Sequence, residues 1–171
     1  MDTIIEIGKP APDFELPDLI NNTYKLSNWL GKIVVINFWS AECPWAERAD
    51  DDLLSYLDDW GDDVVLCSIA SNANEPQNLL AKIRDKRGLP FLLYDEKQLV
   101  ADLYGAQTTP HLFVVDEEGL LRYQGAINDI TFRQRKATRN YLKEAVDALL
   151  AGRQPDPAKT HPYGCTIVRH K

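Results

Sequence analysis

An apolar strand that runs directly into the start of a helix is the feature that most constrains the fold of this chain. Residues 33–38 form a β-branched, apolar run that is typical of a buried strand. Pro44 suits the first position of a helix, because its missing N–H would have no partner there. Cys43 therefore falls at the N-cap, where the positive end of the helix dipole lowers the pKa of a thiol. The sequence predicts a reactive thiol at Cys43; the alternative is a small apolar residue buried at the strand end.

The charge of the chain disfavours two classes of partner. The 171 residues carry a formal net charge of −7 and a pI of about 4.9, whereas nucleic acids and anionic membranes require clustered Lys and Arg. Residues 1–6 lack a basic leader with a long apolar core, and no apolar run approaches membrane-spanning length. We expect a cytoplasmic protein that binds neither nucleic acid nor membrane.

The three cysteines, Cys43, Cys67 and Cys165, lie far apart in the sequence. An odd number of distant cysteines is not the disulfide framework of a small secreted domain. Cys67 falls inside a second strand of buried type, 64–69, and is expected to be a core residue. No paired Cys or His spacing of a metal site occurs, so we predict no metal ion and no other cofactor.

Strands and helices alternate along most of the chain. A turn at Asn21-Asn22 predicts an N-terminal hairpin. The patterns then predict strands at 33–39, 64–69, 90–94, 109–115 and 120–125, and helices at 44–60, 74–88, 97–104 and 131–151. This order requires an α/β three-layer sandwich, in which a central mixed sheet has helices on both faces. We expect one domain over residues 1–152, followed by an extended proline-rich tail, 153–171, on or near its surface.

Four stretches together resemble the redoxin family of alkyl hydroperoxide reductases and thiol-specific antioxidants, which has the thioredoxin fold. They follow the family's order along nearly the whole chain: Gly8-Lys9-Pro10-Ala11-Pro12-Asp13-Phe14, Leu26-Ser27 with Gly31-Lys32, Val34-Val35-Ile36-Asn37-Phe38-Trp39-Ser40, and Thr109-Pro110-His111-Leu112-Phe113-Val114-Val115-Asp116 with Gly119. The resemblance implies that Pro110 is a cis-proline and that Thr109 and Pro110 line the site of Cys43. It also implies an exposed backbone strip there, to which an extended partner can add as a strand.

The chain departs from the family patterns at two places. Ala46 stands where thioredoxins have a second cysteine, so dithiol exchange within that motif is excluded. Ile36 and Ser40 stand where peroxiredoxins have a proline and a threonine. Ser40 keeps a hydroxyl that can donate toward a peroxide oxygen, which makes it a predicted substrate-binding residue. Trp45, with Trp39, is expected to form an apolar rim beside the cysteine.

The tail resembles the C-terminal segment of a peroxiredoxin-like subgroup, in which a late cysteine follows a glycine after a proline-containing run. The resemblance is carried by Lys159-Thr160-His161-Pro162-Tyr163-Gly164-Cys165-Thr166-Ile167. It implies that Cys165 resolves the oxidised form of Cys43, and the alternative is that Cys165 is a free, exposed thiol. Strand alternation favours a solvent-facing side chain for His111, the residue after Pro110.

These observations predict a thiol-dependent redox enzyme in which Cys43 reduces peroxides or disulfides and a thioredoxin-type protein or small thiol is the reductant. One alternative is a redox-inactive or redox-sensing interaction module that lost its second motif cysteine. A second alternative is a protein disulfide reductase or isomerase that acts through a single thiol. The sequence leaves the physiological oxidant, the reductant and the oligomeric state open.

Overall fold

A five-stranded mixed sheet lies at the centre of the computed structural model, which describes residues 5–171. The strands are β1 (Glu15–Pro17), β2 (Thr23–Lys25), β3 (Ile33–Trp39), β4 (Val64–Ala70), β5 (Leu92–Tyr94), β6 (Thr108–Thr109), β7 (His111–Val115), β8 (Leu121–Gly125) and β9 (Cys165–Thr166). The helices are α1 (Pro44–Trp60), α2 (Gln77–Arg87), α3 (Leu99–Tyr104) and α4 (Tyr141–Leu150).

The central sheet has the order β5-β4-β3-β7-β8. Strand β3 pairs in parallel with β4, with Val35 opposite Leu66, and antiparallel with β7, with Val35 opposite Val114. All residues of β3 and β4 are buried, because helices and the hairpin cover both faces. The predicted hairpin is formed by β1 and β2.

Apolar side chains of successive residues in β3 enter different parts of the core. Ile33 and Val35 pack in a cluster that includes α1 and α4. Val34, Ile36 and Phe38 pack in a second cluster with α3 and the hairpin. This alternation produces the three-layer α/β architecture and confirms the predicted fold class.

Helix α1 begins and ends where its sequence signals place it. Cys43 is the N-cap with extended backbone, and Pro44 occupies the first turn. Gly61 ends the helix with φ of 71°, a conformation that glycine adopts at little cost. The strand-to-helix junction at Cys43 is therefore built as predicted.

The prediction of a last helix over 131–151 is wrong for its first ten residues, because α4 starts only at Tyr141. The carboxylate of Asp129 accepts hydrogen bonds from the backbone N–H and the hydroxyl of Thr138. These bonds close a loop and compete with helical hydrogen bonding. The apolar stripe of the sequence also begins at Tyr141, so residues 131–140 have no face to bury.

The tail is extended over most of its length and contains one short strand near its end. Cys165 and Thr166 form β9, which pairs antiparallel with β6. The side chain of Ile167 is buried in the core cluster of α3. The backbone of Val168 exchanges hydrogen bonds with residues 72 and 73, at 2.8 and 2.9 Å. The end of the tail is thus fixed to the sheet domain by strand pairing and burial.

Candidate active site

Cys43 and Cys165 form a disulfide, with their Cα atoms 6.2 Å apart. Cys43 comes from the junction of β3 and α1, and Cys165 comes from β9 at the end of the tail. The alternative of a free Cys165 is therefore not what the structure contains. Cys43 is only 3% exposed, whereas Cys165 is partly exposed. The tail reaches the motif across 122 residues and supplies the sulfur that position 46 lacks.

Thr109 and Pro110 lie against this disulfide, and the peptide bond between them is cis. The carbonyl oxygen of Thr109 is 3.1 Å from Sγ of Cys43. In the reduced protein the Cys43 thiol can donate a hydrogen bond to that oxygen. The two residues thus lie where the resemblance puts them, while their substrate-binding role remains a prediction.

The tail occupies the backbone edge beside Cys43. Thr109 is paired with Cys165, Thr108 is paired with Thr166, and the N–H of Ile167 donates to Gln107 at 3.0 Å. A Cβ atom on Gly164 would overlap the carbonyl of Thr109, so glycine is what lets the tail approach this closely. The predicted site for an added strand is therefore occupied by the protein's own C-terminal segment.

A buried carboxylate, Glu75, holds the turn before Cys43 from one side. Its two oxygens accept hydrogen bonds from the Ser40 hydroxyl at 2.6 Å and from the N–H groups of Ala41 and Glu42 at 3.0 and 3.1 Å. Glu75 is 4% exposed and comes from the segment between β4 and α2. A carboxylate with this many donors orients residues 40–42 and places a negative charge near the reactive sulfur.

Arg87, the last residue of α2, holds the same turn from its carbonyl side. Its guanidinium donates to the carbonyls of Ser40 and Ala41 at 3.4 and 2.9 Å, and to Asp50 at 3.0 Å. It also lies 5.2 Å from the ring centroid of Trp39. Glu75 and Arg87 together satisfy the N–H and C=O groups of the turn, which explains how an irregular segment stays ordered inside the protein.

Asp50 connects this arrangement to α1. Its Oδ2 accepts from the Trp39 indole at 2.8 Å and from Arg87, while its Oδ1 has no hydrogen-bond partner within residues 5–171. Burial raises the pKa of Asp50 to about 6, although the bonds from Trp39 and Arg87 lower it. Asp50 therefore retains its proton at mildly acidic pH, although it belongs to the hydrogen-bond network that orders the site.

Glu75, Arg87 and Asp50 were not predicted from the sequence as residues of the site. One signal was available for Glu75, because it follows a buried parallel strand and precedes the proline that opens α2. The carboxyl ends of parallel strands β3 and β4 meet at one edge of the sheet, which brings Glu75 close to Cys43. Nothing comparable in the sequence indicates Arg87, which reaches the turn from the far end of its helix.

Ser40 and Trp45 are near Cys43, but their side chains are already engaged. The Ser40 hydroxyl is buried and donates to Glu75, so its hydrogen is not directed at a substrate. The Trp45 ring meets the ring of Tyr163 edge to face, with centroids 5.0 Å apart, and both line a small cavity with Pro110. Substrate binding by Ser40 and Trp45 remains a prediction.

Two further sequence-based expectations have clear outcomes. Cys67 is a fully buried free cysteine, as predicted, and burial raises the pKa of its thiol. The solvent-facing orientation expected for His111 is wrong. Its ring is buried against Phe113, and its Nδ1 accepts the N–H of Gln107 at 3.2 Å. Burial, with the nearby His161, lowers the pKa of His111 to about 4.

Between residues 5 and 171, no three His, Cys, Asp or Glu side chains converge so that they could hold a metal ion. Within that range, no helix has the length and apolar content needed to cross a membrane. The expectation of a cytoplasmic location remains a prediction.

A sulfur at a helix start, beside a cis-proline on a mixed sheet with helices on both faces, defines a thioredoxin-fold thiol protein. The AhpC/TSA family model matches residues 7–124. The chain belongs to the AhpC/TSA family, and the predicted family resemblance is confirmed.

Individual relatives match both the domain and the whole chain. The thiol-disulfide oxidoreductase ResA of Geobacillus thermodenitrificans (strain NG80-2) is 30% identical over 124 residues, which are 70% of this chain and 69% of ResA. A crystal structure of a hypothetical protein from Sinorhizobium meliloti 1021 has a TM-score of 0.88 and 29% identity. It covers 98% of this chain and 97% of its own, so the similarity extends into the tail.

A more distant structure supports the fold alone. It is a putative thiol:disulfide interchange protein DsbE from Chlorobium tepidum, with a TM-score of 0.61 and 22% identity. It covers 87% of this chain and 98% of its own length.

Proposed function

We propose that this protein is a thiol-disulfide oxidoreductase that uses Cys43 as the attacking thiol and Cys165 as the resolving thiol. The observation that carries the proposal is the Cys43–Cys165 disulfide at the start of α1, beside Thr109 and Pro110. This disulfide is what remains after one turnover of such a pair. The predicted oxidoreductase class agrees with the thiol-disulfide oxidoreductase activity named for ResA.

The proposed reaction has two exchange steps. The Cys43 thiolate attacks one sulfur of a substrate disulfide, forms a mixed disulfide with it and releases the other substrate sulfur as a thiolate. The Cys165 thiolate then attacks Sγ of Cys43 and releases the second substrate sulfur. The substrate gains two electrons, the protein is left with the Cys43–Cys165 disulfide, and an external thiol restores the two protein thiols.

The backbone edge at β6 favours a polypeptide disulfide as the substrate class. An extended segment of a partner protein can replace β9 there and present its own cysteine to Cys43, as the tail does with Cys165. We expect the partner segment to bind as β9 does, antiparallel to β6 and with its cysteine opposite Thr109. In this proposal the reduced tail leaves the edge and returns when it resolves the mixed disulfide.

The sequence also predicts peroxides as possible substrates of Cys43. Their reduction would use the same two cysteines. Oxygen transfer to the Cys43 thiolate would give a sulfenic acid, which Cys165 would condense to the same disulfide with loss of water. The Ser40 hydroxyl donates to Glu75 rather than toward an open site. We therefore rank disulfides above peroxides as substrates.

The test is turnover of a peptide disulfide, and separately of hydrogen peroxide, with dithiothreitol as reductant. We expect Cys43→Ser to lower disulfide turnover at least about a hundredfold, because no other thiol replaces the nucleophile. Cys165→Ser should accumulate a mixed disulfide on Cys43. The matched control is Cys67→Ala, which removes the buried third cysteine and should retain turnover.

The results of this experiment distinguish the proposed function from an interaction module, a peroxidase and a single-thiol enzyme. Disulfide turnover that is unaffected by Cys43→Ser would overturn the proposal and favour an interaction module. Faster turnover of peroxide than of the disulfide, dependent on Cys43, would assign the protein to the peroxidases instead. Full disulfide turnover by Cys165→Ser would support the single-thiol alternative.

A further inference from the structure

We propose that the loop over residues 131–140, called the basic loop below, is a docking surface for partner polypeptides that carry acidic residues just before their reacting cysteine. The inference rests on the proposed function, since it names the class of polypeptide whose disulfide reaches Cys43. It concerns a segment that takes no part in the chemistry at the two sulfurs.

The basic loop concentrates positive charge on an acidic protein. Its ten residues include no Asp or Glu and contain four cations, Arg133, Arg135, Lys136 and Arg139, although the whole chain has 26 acidic and 19 basic residues. Among residues 5–171, only Arg139 of these four takes part in a salt bridge, and its partner is Glu144. The other three cations are exposed and are left to pair with a charge from another molecule.

An exposed aromatic side chain accompanies these cations. Phe132 is 76% exposed, the highest fraction among the large apolar side chains of residues 5–171. Covering such a ring is favourable, and aromatic and Arg side chains are enriched at protein interfaces. The basic loop therefore combines a charged and an apolar contribution to binding on one surface.

Hydrogen bonds at both sides keep the basic loop in place. The carboxylate of Asp129 accepts from the backbone N–H and the hydroxyl of Thr138, so its charge is engaged at the base of the loop. The guanidinium of Arg48, on α1, donates to the carbonyl of Arg135 at 3.2 Å. Asp52 lines the same small cavity as Arg48, so we do not count Arg48 as an unpaired cation. A loop that is already ordered loses less conformational entropy when it binds a partner.

The basic loop adjoins the place where a partner's cysteine would react. The N–H of Phe132 donates to the hydroxyl of Tyr163 at 2.7 Å, and the ring of Tyr163 meets that of Trp45. Tyr163 lies two residues before Cys165 in the tail. A partner segment that binds to β6 as the tail does therefore brings the residue two positions before its own cysteine to Phe132.

This position determines the chemistry of the partner. When the tail leaves, the N–H of Phe132 loses its acceptor, while the cations that follow Phe132 in the loop still have no counter-charge. A carboxylate from the partner supplies both the acceptor and the negative charge. Membranes and nucleic acids are extended anionic surfaces, which the net charge of −7 repels, whereas a short acidic segment meets the basic loop alone.

The test compares three matched peptide disulfides as substrates of the full-length chain, with dithiothreitol as reductant. One peptide has two Asp residues at the second and third positions before its cysteine, one has them at the same distances after it, and one has Asn at all four positions. We expect kcat/KM at low salt to be about tenfold higher for the first peptide than for the other two. Equal values for the three peptides would overturn the proposal.

Two variants locate the preference on the molecule. The loop variant removes the three unpaired cations and combines Arg133→Gln, Arg135→Gln and Lys136→Gln. The control removes the same charge around the start of β3, at the end of the sheet opposite Cys43, and combines Lys9→Gln, Lys32→Gln and Arg153→Gln. The readout is the ratio of kcat/KM between the first and the neutral peptide, so a general loss of activity does not imitate the result. We expect a ratio near one for the loop variant and the native ratio for the control; a native ratio in the loop variant contradicts the proposal.

A binding measurement distinguishes failure of this inference from failure of the proposed function. Fluorescently labelled peptides with Ser in place of cysteine are titrated with the reduced chain, and binding is followed by anisotropy. No reaction at Cys43 is needed, so the surface is tested even if turnover proves independent of Cys43. Tighter binding of the first peptide to the control than to the loop variant supports the docking surface. Equal binding contradicts it, as does loop-dependent binding of phosphatidylserine vesicles with no preference among the peptides.

Discussion

At the scale of single residues, two opposing electrostatic effects act on the ionisation of the Cys43 thiol. The start of α1 favours a thiolate at Cys43, and the buried carboxylate of Glu75 opposes it. Glu75 also fixes the turn through three hydrogen bonds, so the side chain that carries this charge also orders residues 40–42.

This balance predicts the effect of Glu75→Gln on the pKa of Cys43. Removing the buried charge should lower that pKa, because a carboxylate beside the turn opposes the formation of a second negative charge on the thiol. The measurement is the rate of alkylation by iodoacetamide against pH, in a Cys165→Ser background that leaves Cys43 free. Glu42→Gln is the matched control, because Glu42 adjoins Cys43 but is exposed, and it should shift the pKa less. Equal shifts in both variants would contradict the role of Glu75.

At the scale of elements, β9 explains how a tail without a helix of its own brings a cysteine to Cys43. Its pairing with β6 fixes Cys165 opposite Thr109, and the burial of Ile167 anchors the residues that follow. The close approach of Gly164 to Thr109 is the tightest part of this contact. The disulfide therefore depends on backbone fit as much as on sulfur chemistry.

Gly164→Ala should weaken the Cys43–Cys165 disulfide by pushing β9 away from β6. A Cβ atom at this position meets backbone, which cannot move aside as a flexible side chain can, and overpacking of this kind costs about 1–3 kcal/mol. The equilibrium constant against glutathione redox buffers should fall about tenfold or more. Thr166→Ala, in the same strand at an exposed position, is the control and should change the equilibrium little. An unchanged constant in Gly164→Ala would show that the tail does not depend on this fit.

At the scale of the whole molecule, Asp50 joins the core of α1 to β3 and α2. It bonds to Trp39 at the end of β3 and to Arg87 at the end of α2. Because Arg87 also holds the turn before Cys43, the packing of three elements and the order of the site are connected through one buried carboxyl. Its raised pKa makes the stability of the fold depend on pH.

We expect the native chain to lose stability, relative to Asp50→Asn, as pH rises from about 4 to 6. The folded protein retains the Asp50 proton up to about pH 6, whereas the unfolded chain releases it near the ordinary pKa of 3.8. The contribution is therefore fully present below pH 3.8, is lost as pH passes 6, and amounts to about 3 kcal/mol. Urea unfolding of both chains at pH 3.5, 5 and 7 measures it. Asp51→Asn, an exposed neighbour, should follow the native profile, and parallel profiles for the native chain and Asp50→Asn would contradict the prediction.

The sequence by itself determined the elements whose signals are local. The apolar runs gave β3 and β4, Pro44 and Gly61 gave the ends of α1, and the family motifs gave Pro110 beside Cys43. Periodicity and caps act over a few residues, so they can be read without a structure. The start of α4 was misread because side-chain bonds to Asp129 compete with a helix over residues that have no apolar face.

Only the tertiary structure decided what surrounds the sulfur. The tail resemblance implied Cys165 but left its pairing open, because a disulfide depends on the distance and direction between residues far apart in sequence. The hydrogen bonds of Glu75 and Arg87 to residues 40–42 join segments more than 30 residues apart, and no local pattern encodes them. The burial of Cys43 and the partial exposure of Cys165 likewise follow from packing between elements. The surroundings of the two sulfurs therefore depend on the tertiary structure and not on local sequence patterns.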